Sequence, residues 1–129
     1  MEHLAETIEF SPNQVVCLEQ GQLRLFGEVV QMVPLRSRCW VRPLAMAQVL
    51  PESLQLSLLY DLRESSHLVL PAQVFREALD VELIPLMSAL FHPEKENEEQ
   101  MDSEAARHAL HQLIRQISID RSMLFQGEE

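Results

Sequence analysis

The chain has 129 residues, a hydrophobic fraction of 47% and a formal net charge of −10 at pH 7. This length is typical of one domain with short extensions, and it suffices to bury a hydrophobic core. The negative charge disfavours stable contact between the whole chain and DNA or anionic lipid, since both are polyanions. The N-terminal residues lack the basic start and apolar stretch of a secretion signal, and no segment approaches the ~18 to 20 apolar residues of a membrane span. We therefore expect a cytoplasmic protein.

Charge is distributed unevenly along the chain. Residues 24–76 contain six arginines and four acidic residues, a balance of +2, whereas all other residues together carry −12. The six arginines are Arg24, Arg36, Arg38, Arg42, Arg63 and Arg76. A weakly basic centre between strongly acidic flanks suggests a small interaction module, with a surface for anions and flanks that repel them.

The first two thirds of the chain read as strands. Residues 1–13 are polar and end in the turn sequence Ser-Pro-Asn, so we predict a flexible arm there. The predicted strands span residues 14–19, 23–33, 39–46, 54–62 and 67–70. Short strands separated by turns over about 60 residues indicate a meander or a small barrel.

Two residues inside these strands have positional meaning. Gly27 lies in the middle of the strongest strand, where it predicts a bulge or sharp bend that curls a small sheet. Pro43 has no backbone N–H to donate to a ladder, so the strand that contains it is predicted to be an edge there or to end there.

The period of the hydrophobic pattern changes after residue 70. Pro71 is a suitable first helical residue, and the apolar side chains up to Leu79 share one helical face. Asp80 is predicted to cap a second helix, with Leu83, Ile84, Met87, Leu90 and Phe91 at helical spacing. Pro85 should kink or limit that helix.

The remaining residues divide into a linker and a final helix. Residues 92–102 are predicted to be an acidic linker, because they are rich in glutamate and have no apolar period. Residues 103–129 are predicted to form an amphipathic helix and a tail. The apolar stripe of this helix consists of Ala106, Ala109, Leu110, Leu113, Ile114 and Ile117. The stripe folds back on the sheet, or it binds the groove of a partner or a second copy as a homodimer.

The predicted fold class is therefore α+β. Residues 14–91 are predicted to form a small SH3-like, partly open antiparallel β-barrel with following helices. The flexible arm precedes this domain, and the acidic linker and C-terminal amphipathic helix follow it.

The candidate binding site is a group of arginines around a tryptophan. Arg36, Arg38 and Arg42 lie within seven residues, and Trp40 lies between them. In a strand, Arg38, Trp40 and Arg42 alternate onto one face, where they would bind a carboxylate, phosphate or nucleotide with the indole as a stacking surface. In the alternative interpretation Trp40 belongs to the core, and the arginines hold the acidic linker or form cross-strand ion pairs. The acids available for such pairs are Glu28, Glu52 and Asp61.

Other site chemistry has weaker support. Glu104, His108 and His111 share one helical face, but two imidazoles in a charged context predict a solvated surface without a metal. Cys17 and Cys39 lack the CxxC spacing of zinc sites and are predicted to be reduced, buried thiols. The chain has no GxSxG or phosphate-loop motif, and three glycines are too few for a phosphate cradle. We therefore predict no catalytic residue, no metal and no cofactor, and hence no enzyme.

Part of the sequence resembles small conserved cyanobacterial proteins that carry no assigned activity. The resemblance rests on residues 23–33, 39–44, 59–63 and 68–71 and covers about residues 14–90. It implies a source and brings no catalytic residues with it. By analogy, small SH3-like barrels in such organisms serve as subunits or accessory factors of photosynthetic complexes.

These observations predict a non-catalytic protein-interaction module, an adaptor or assembly factor that docks a protein partner through the arginine face. The alternative is a regulatory module that binds a phosphate-bearing ligand or nucleic acid through the same residues. The two differ in salt dependence, because each phosphate contact releases counterions.

Overall fold

The computed structural model describes residues 8–91 and 103–125 and confirms the α+β class. An antiparallel sheet comes first and helices follow. The strands are β1 (Val15–Gln20), β2 (Leu23–Val33), β3 (Arg38–Val49), β4 (Leu56–Asp61), β5 (Leu68–Pro71) and β6 (Phe75–Glu77). The helices are α1 (Asp80–Phe91), α2 (Ser103–Asp120) and α3 (Ser122–Phe125).

The sheet is a meander with two additions. Its strand order is β4-β3-β2-β1-β6, and β5 pairs with β3 outside this path. On one edge of β3, β5 pairs with residues 38–41 and β4 with residues 45–49. Among the described strands no pairing joins β4 or β5 to β6, so the sheet is not closed. The narrower expectation of an SH3-like barrel therefore stays a prediction.

The predicted irregularity at Gly27 is confirmed. The register between β2 and β3 shifts between Phe26 and Gly27. A Cβ atom at Gly27 would lie 3.3 Å from the carbonyl oxygen of Arg42, which is closer than most side chains tolerate. Glycine thus allows the two backbones to approach at the bend.

Pro43 lies opposite Gly27, and β3 continues beyond it to Val49. The strand therefore does not end at the proline. Pro43 falls between the segment of β3 that pairs with β5 and the segment that pairs with β4. On that side no described strand pairs with β3 at Pro43, so β3 is locally an edge there.

The predicted helix between Pro71 and Leu79 is wrong. A short 3-10 turn at Ala72–Val74 leads directly into β6. Phe75 pairs with Leu18 of β1, and the next two residues continue this antiparallel ladder. Pairing with a distant strand thus overrides the local helical spacing of the apolar residues, which local reasoning does not detect.

The predicted helix over residues 80–91 is confirmed as α1, and it continues through Pro85. Its cap differs from the prediction. The backbone N–H of Leu79 donates to Oε1 of Glu82 over 2.8 Å, as in one half of a capping box. Asp80 is instead the first residue of the helix.

The two long helices cover opposite faces of the sheet. Leu86 and Leu90 of α1 pack in one hydrophobic cluster with Cys17 and Phe26. The buried residues of α2 pack in the other cluster. This second cluster includes Val16, Leu18, Leu25, Met46, Leu110 and Ile117. Because neighbouring strand residues point to opposite faces, adjacent residues fall in different clusters. The apolar stripe of α2 therefore folds back on its own sheet.

Some predictions concern residues outside the described ranges. The acidic linker, residues 92–102, is one of them, and residues 1–7 and 126–129 are the others. Within the remainder of the predicted arm, Ile8 and Phe10 are half-buried and pack against the cluster covered by α2.

Candidate functional site

The arginine face is arranged as the strand alternation predicts. Arg38, Trp40 and Arg42 alternate along β3 with the buried Cys39 and Val41. Arg42 is exposed, whereas Arg38 and Trp40 are half-buried.

Arg36 lies apart from this alternation. It ends a short 3-10 helix, Pro34–Arg36, between β2 and β3, and it is exposed to solvent. Arg36 therefore lies close to the beginning of β3 but is not part of the strand face formed by Arg38, Trp40 and Arg42.

Arg42 and Trp40 of this face both make hydrogen bonds within the chain. Arg42 lies directly opposite Glu28 on β2, and its Nη2 donates to Oε1 of Glu28 over 2.7 Å. The indole N–H of Trp40 donates to Nδ1 of His67 over 3.0 Å. The charge of Arg42 is therefore offset by Glu28, as the cross-strand alternative predicts. A phosphate at this face would compete with that carboxylate.

A second arginine, Arg63, fastens the end of α1 to the sheet. Its guanidinium donates two hydrogen bonds to the Asp61 carboxylate and one to the carbonyl oxygen of Leu90, at 3.2 Å. It also lies 4.8 Å from the centre of the Phe91 ring. Burial raises the pKa of Asp61, but the hydrogen bonds from Arg63 outweigh it and hold that pKa below its usual value.

A third arginine, Arg76, joins β1, β6 and α1. It donates to both oxygens of Glu82, at 3.0 and 2.7 Å, and to Glu19, at 2.7 Å. The guanidinium of Arg24 lies 3.8 Å from the same Glu19 oxygen. The Arg76 guanidinium lowers the pKa of the Glu82 carboxyl, although partial burial acts in the opposite direction. The four side chains form a balanced ionic network.

This network borders a cleft of about 660 Å³. The cleft lies between the β3–β4 turn and the first half of α1. Its apolar lining consists of Val49, Leu54, Leu56, Val81 and Pro85. Because every charged group at its border has an opposite charge as a neighbour, the cleft presents an apolar surface rather than a net charge.

The cleft continues into an exposed apolar stripe along α1. The side chains of Val81, Ile84 and Phe91 are 78%, 69% and 60% exposed. Pro85 and Ser88 are also exposed and lie along the same side. Leu54, from the β3–β4 turn, is 75% exposed and lines the cleft beside Val81. We call the set of Leu54, Val81, Ile84, Pro85 and Phe91 the outer α1 face.

The outer α1 face is unusual for a surface helix. Beyond Asp80 in the first turn, the exposed side of the helix carries no charged residue, and its inner side is buried through Leu86 and Leu90. A helix that is apolar all round is normally buried on all sides. An exposed apolar patch on a folded chain is typical of an interaction site.

Sequence reasoning missed this surface although the pattern contained a clue. Helical spacing assigned Ile84 and Phe91 to the buried stripe, whereas the structure buries Leu86 with Leu90 and exposes the other two. The clue was the surplus of apolar residues in 79–91, the longest apolar cluster of the chain. A helix needs only one apolar face to pack against a sheet, so the second face indicates a second contact.

The remaining candidate residues take no part in a common site. Cys17 and Cys39 are buried free thiols, and burial raises their pKa values to about 12 and about 11. His108 and His111 are exposed on α2. Within residues 8–91 and 103–125, no group of three or more His, Cys, Asp or Glu side chains is placed to hold a metal ion.

Comparisons of the chain with models of protein families, with curated proteins and with solved structures found no match. In the described part of the chain, no helix has both the length and the apolar character needed to cross a membrane.

Proposed function

We propose that this chain is a non-catalytic protein-interaction module, an adaptor or accessory factor that docks a larger protein complex through the outer α1 face. One observation carries the proposal: Val81, Ile84 and Phe91 are exposed on a helix whose other side is already buried in the chain. Exposing these side chains is unfavourable in water, and a partner that covers them removes that cost.

The fold indicates how α1 is held in place, and the resemblance to cyanobacterial proteins suggests the kind of complex that it docks. We take the sheet to be a partly open barrel of SH3-like type that holds α1 in place. The resemblance to small cyanobacterial proteins supports a photosynthetic complex as the target.

The alternative function, binding of a phosphate-bearing ligand or nucleic acid at Arg36, Arg38, Trp40 and Arg42, has less support. The ion pair with Glu28 offsets the charge of Arg42. The hydrogen bond to His67 occupies the indole N–H of Trp40.

Site-specific photo-crosslinking tests the proposal. A photoreactive amino acid is placed at Ile84 or, as the control, at the exposed His108 of α2, and crosslinking is carried out in extract of the source organism. We expect a single dominant adduct from position 84 and none from position 108. The crosslinked protein is then purified, and its binding is measured to wild type and to Ile84→Asp.

The variants decide between the two surfaces. Ile84→Asp should abolish binding without changing the melting temperature, because Ile84 is exposed. Arg36→Glu combined with Arg38→Glu should bind as wild type does. The proposal fails if Ile84→Asp binds normally, and loss of binding only in the arginine variant would transfer docking to the arginine face.

A further inference from the structure

We propose that the arginine face, formed by Arg38, Trp40 and Arg42, becomes a binding site for an oxyanion when His67 gains a proton. The support comes from the hydrogen bond between Trp40 and His67 and from the charges around it. The arginine face and the outer α1 face share no residue, so either surface can act without the other.

The hydrogen bond fixes the protonation state of His67. The indole N–H of Trp40 donates to Nδ1 of His67 over 3.0 Å, and the two ring centres are 5.9 Å apart. An indole nitrogen can only donate, so Nδ1 must accept and the imidazole proton resides on Nε2. The bond therefore exists only while the imidazole is neutral. Histidine is the side chain that ordinarily gains its charge between about pH 8 and pH 5, so mild acid should break this bond.

Protonation turns the pair into two donors. Both ring nitrogens of an imidazolium carry hydrogens, so Nδ1–H of His67 and the indole N–H of Trp40 then point at each other. Two such donors repel, and the rings separate unless an acceptor enters between them. One oxygen of a sulfate, phosphate or carboxylate can accept from both donors, and the bond from the charged imidazolium is the stronger one.

The position of His67 adds a third donor group. Leu68 of β5 pairs with Val41 of β3. The next position of this antiparallel register places His67 opposite Arg42. A guanidinium has five N–H donors, so the hydrogen bond from Arg42 to Glu28 leaves Arg42 able to donate to a second acceptor. An anion between the two rings would therefore lie beside a guanidinium.

The charge of the arginine face favours an anion once His67 is protonated. Arg38 and Arg42 contribute two positive charges, and Glu28 on β2 contributes one negative charge. The balance is therefore +1 while His67 is neutral and +2 when it is protonated. In the neutral state the Glu28 carboxylate already offsets one guanidinium, so the added proton creates the charge that an anion can neutralise.

The charged groups beneath α2 lie on the other side of this segment. Glu64, Arg107 and His111 line a cleft together with Leu68. Leu68 packs against the cluster that α2 covers. Because neighbouring residues of a strand point to opposite faces, His67 points away from that cleft. Of these two histidines, His67 is therefore the one whose proton acts on the arginine face.

Sulfate is the probe that tests this site with the full chain, because it stays a dianion from pH 5.5 to pH 8 whereas phosphate changes its charge. Trp40 is the only tryptophan, so its fluorescence and its single indole N–H resonance report on the site. At constant ionic strength we expect sulfate to bind at least about tenfold more tightly at pH 5.5 than at pH 8. Without sulfate, the indole N–H resonance should move upfield in acid as it loses its acceptor.

Variants assign the pH dependence to the pair. His67→Gln remains neutral at both pH values, so sulfate should bind it weakly and equally at each. The matched control is His108→Gln, exposed on α2, which should retain the behaviour of wild type. Trp40→Phe removes one donor and should weaken sulfate binding at pH 5.5, as measured by calorimetry. One further measurement needs no variant: by linkage, sulfate should move the acid transition of the indole N–H to higher pH.

Three results would overturn this inference. An indole N–H that keeps its acceptor down to pH 5.5 would mean that His67 does not open the pair. Sulfate affinity that is equal at the two pH values would mean that the opened pair binds no anion. A pH dependence that persists in His67→Gln would assign it to another group. None of these results bears on docking at α1, which binding to Ile84→Asp tests.

Discussion

Cys17 and Cys39 are the two residues whose chemistry is most altered by the fold. Both side chains are completely buried, and burial raises their pKa values to about 12 and about 11. Since the thiolate is the reactive form, we expect both thiols to react only slowly with an aromatic disulfide reagent at pH 8 in the folded chain. Both should react at once in denaturant. Rapid reaction of two thiols in the native protein would contradict the buried positions.

The same shift predicts how stability changes at high pH. The folded pKa values lie above the ordinary cysteine value of 9.0, so the unfolded chain releases these protons first. The contribution of the thiols to stability is fully present below pH 9 and is lost as the pH rises towards the folded values. Replacing both cysteines by alanine should remove that part of the alkaline loss of stability, as followed by urea unfolding.

Glu82 both caps α1 and forms an ion pair with Arg76, so its replacement should lower the stability of the fold more than that of a typical surface acid. We expect Glu82→Ala to lower the free energy of unfolding by about 1 to 2 kcal/mol at pH 7. Glu28→Ala, which removes only the pair with Arg42, should cost at most about 0.5 kcal/mol. Urea unfolding of both variants provides the comparison, and equal losses would refute the capping role.

The acid dependence of this effect has a definite sign. Arg76 lowers the pKa of Glu82 in the folded chain, so the carboxylate stabilises the fold at neutral pH and the effect disappears as the pH falls through that lowered value. The difference in stability between wild type and Glu82→Ala should therefore shrink in acid. A difference that stayed constant would leave only an uncharged role for this side chain.

The orientation of α1 is the feature on which the docking surface depends. Leu90 is buried against the sheet and Ile84 is exposed, although both are apolar residues of the same helix. We expect Leu90→Ala to lower the free energy of unfolding by about 2 to 4 kcal/mol. Ile84→Ala should change it by no more than about 0.5 kcal/mol. Thermal and urea unfolding of the two variants check the orientation, and the reverse order would mean that α1 is rotated.

Elements with a strong local pattern could be predicted from the sequence, and elements made by distant pairing could not. The strand over residues 23–33 has the predicted limits, because its alternation and its turns are local properties. The three residues of β6 are a strand only because β1 offers them an edge. Local spacing therefore favoured a helix, and no nearby residue pointed to the partner strand.

For the candidate site, sequence reasoning could predict which side chains share a face of a strand but not which residues they contact. Alternation correctly placed Arg38, Trp40 and Arg42 on one side of β3, because a strand has a period of two. Their partners depended on register and on the path of the chain, which join Glu28 to Arg42 and His67 to Trp40. In α1 the period does not decide which apolar side faces inward, because both sides are apolar.

At the scale of the whole molecule, α2 is an integral part of the hydrophobic core. Leu110, Leu113 and Ile117 are buried in the same cluster as residues of β1, β2 and β3. Each such side chain contributes ~1.5 to 3 kcal/mol of burial, which together is comparable with the ~5 to 15 kcal/mol that stabilises a typical domain. We expect a chain that ends at Phe91 to lose cooperative thermal unfolding.

A complementation experiment provides the control for this truncation. Adding a peptide of residues 103–125 to the shortened chain should restore a cooperative melt, because it returns the buried side chains of α2 to the core. If the shortened chain melts at the same temperature as the full chain without the peptide, α2 contributes little and the sheet is self-sufficient.

Cys17 and Cys39 lie on opposite faces of the sheet, so the reactivity of each thiol reports on a different helix layer. Cys17 lies beneath α1 and Cys39 lies in the cluster that α2 covers. Slow thiol labelling of the native chain therefore times the opening of each layer separately. A partner that covers α1 should slow the labelling of Cys17 and leave that of Cys39 unchanged, so the chain itself reports which of its two sides has been occupied.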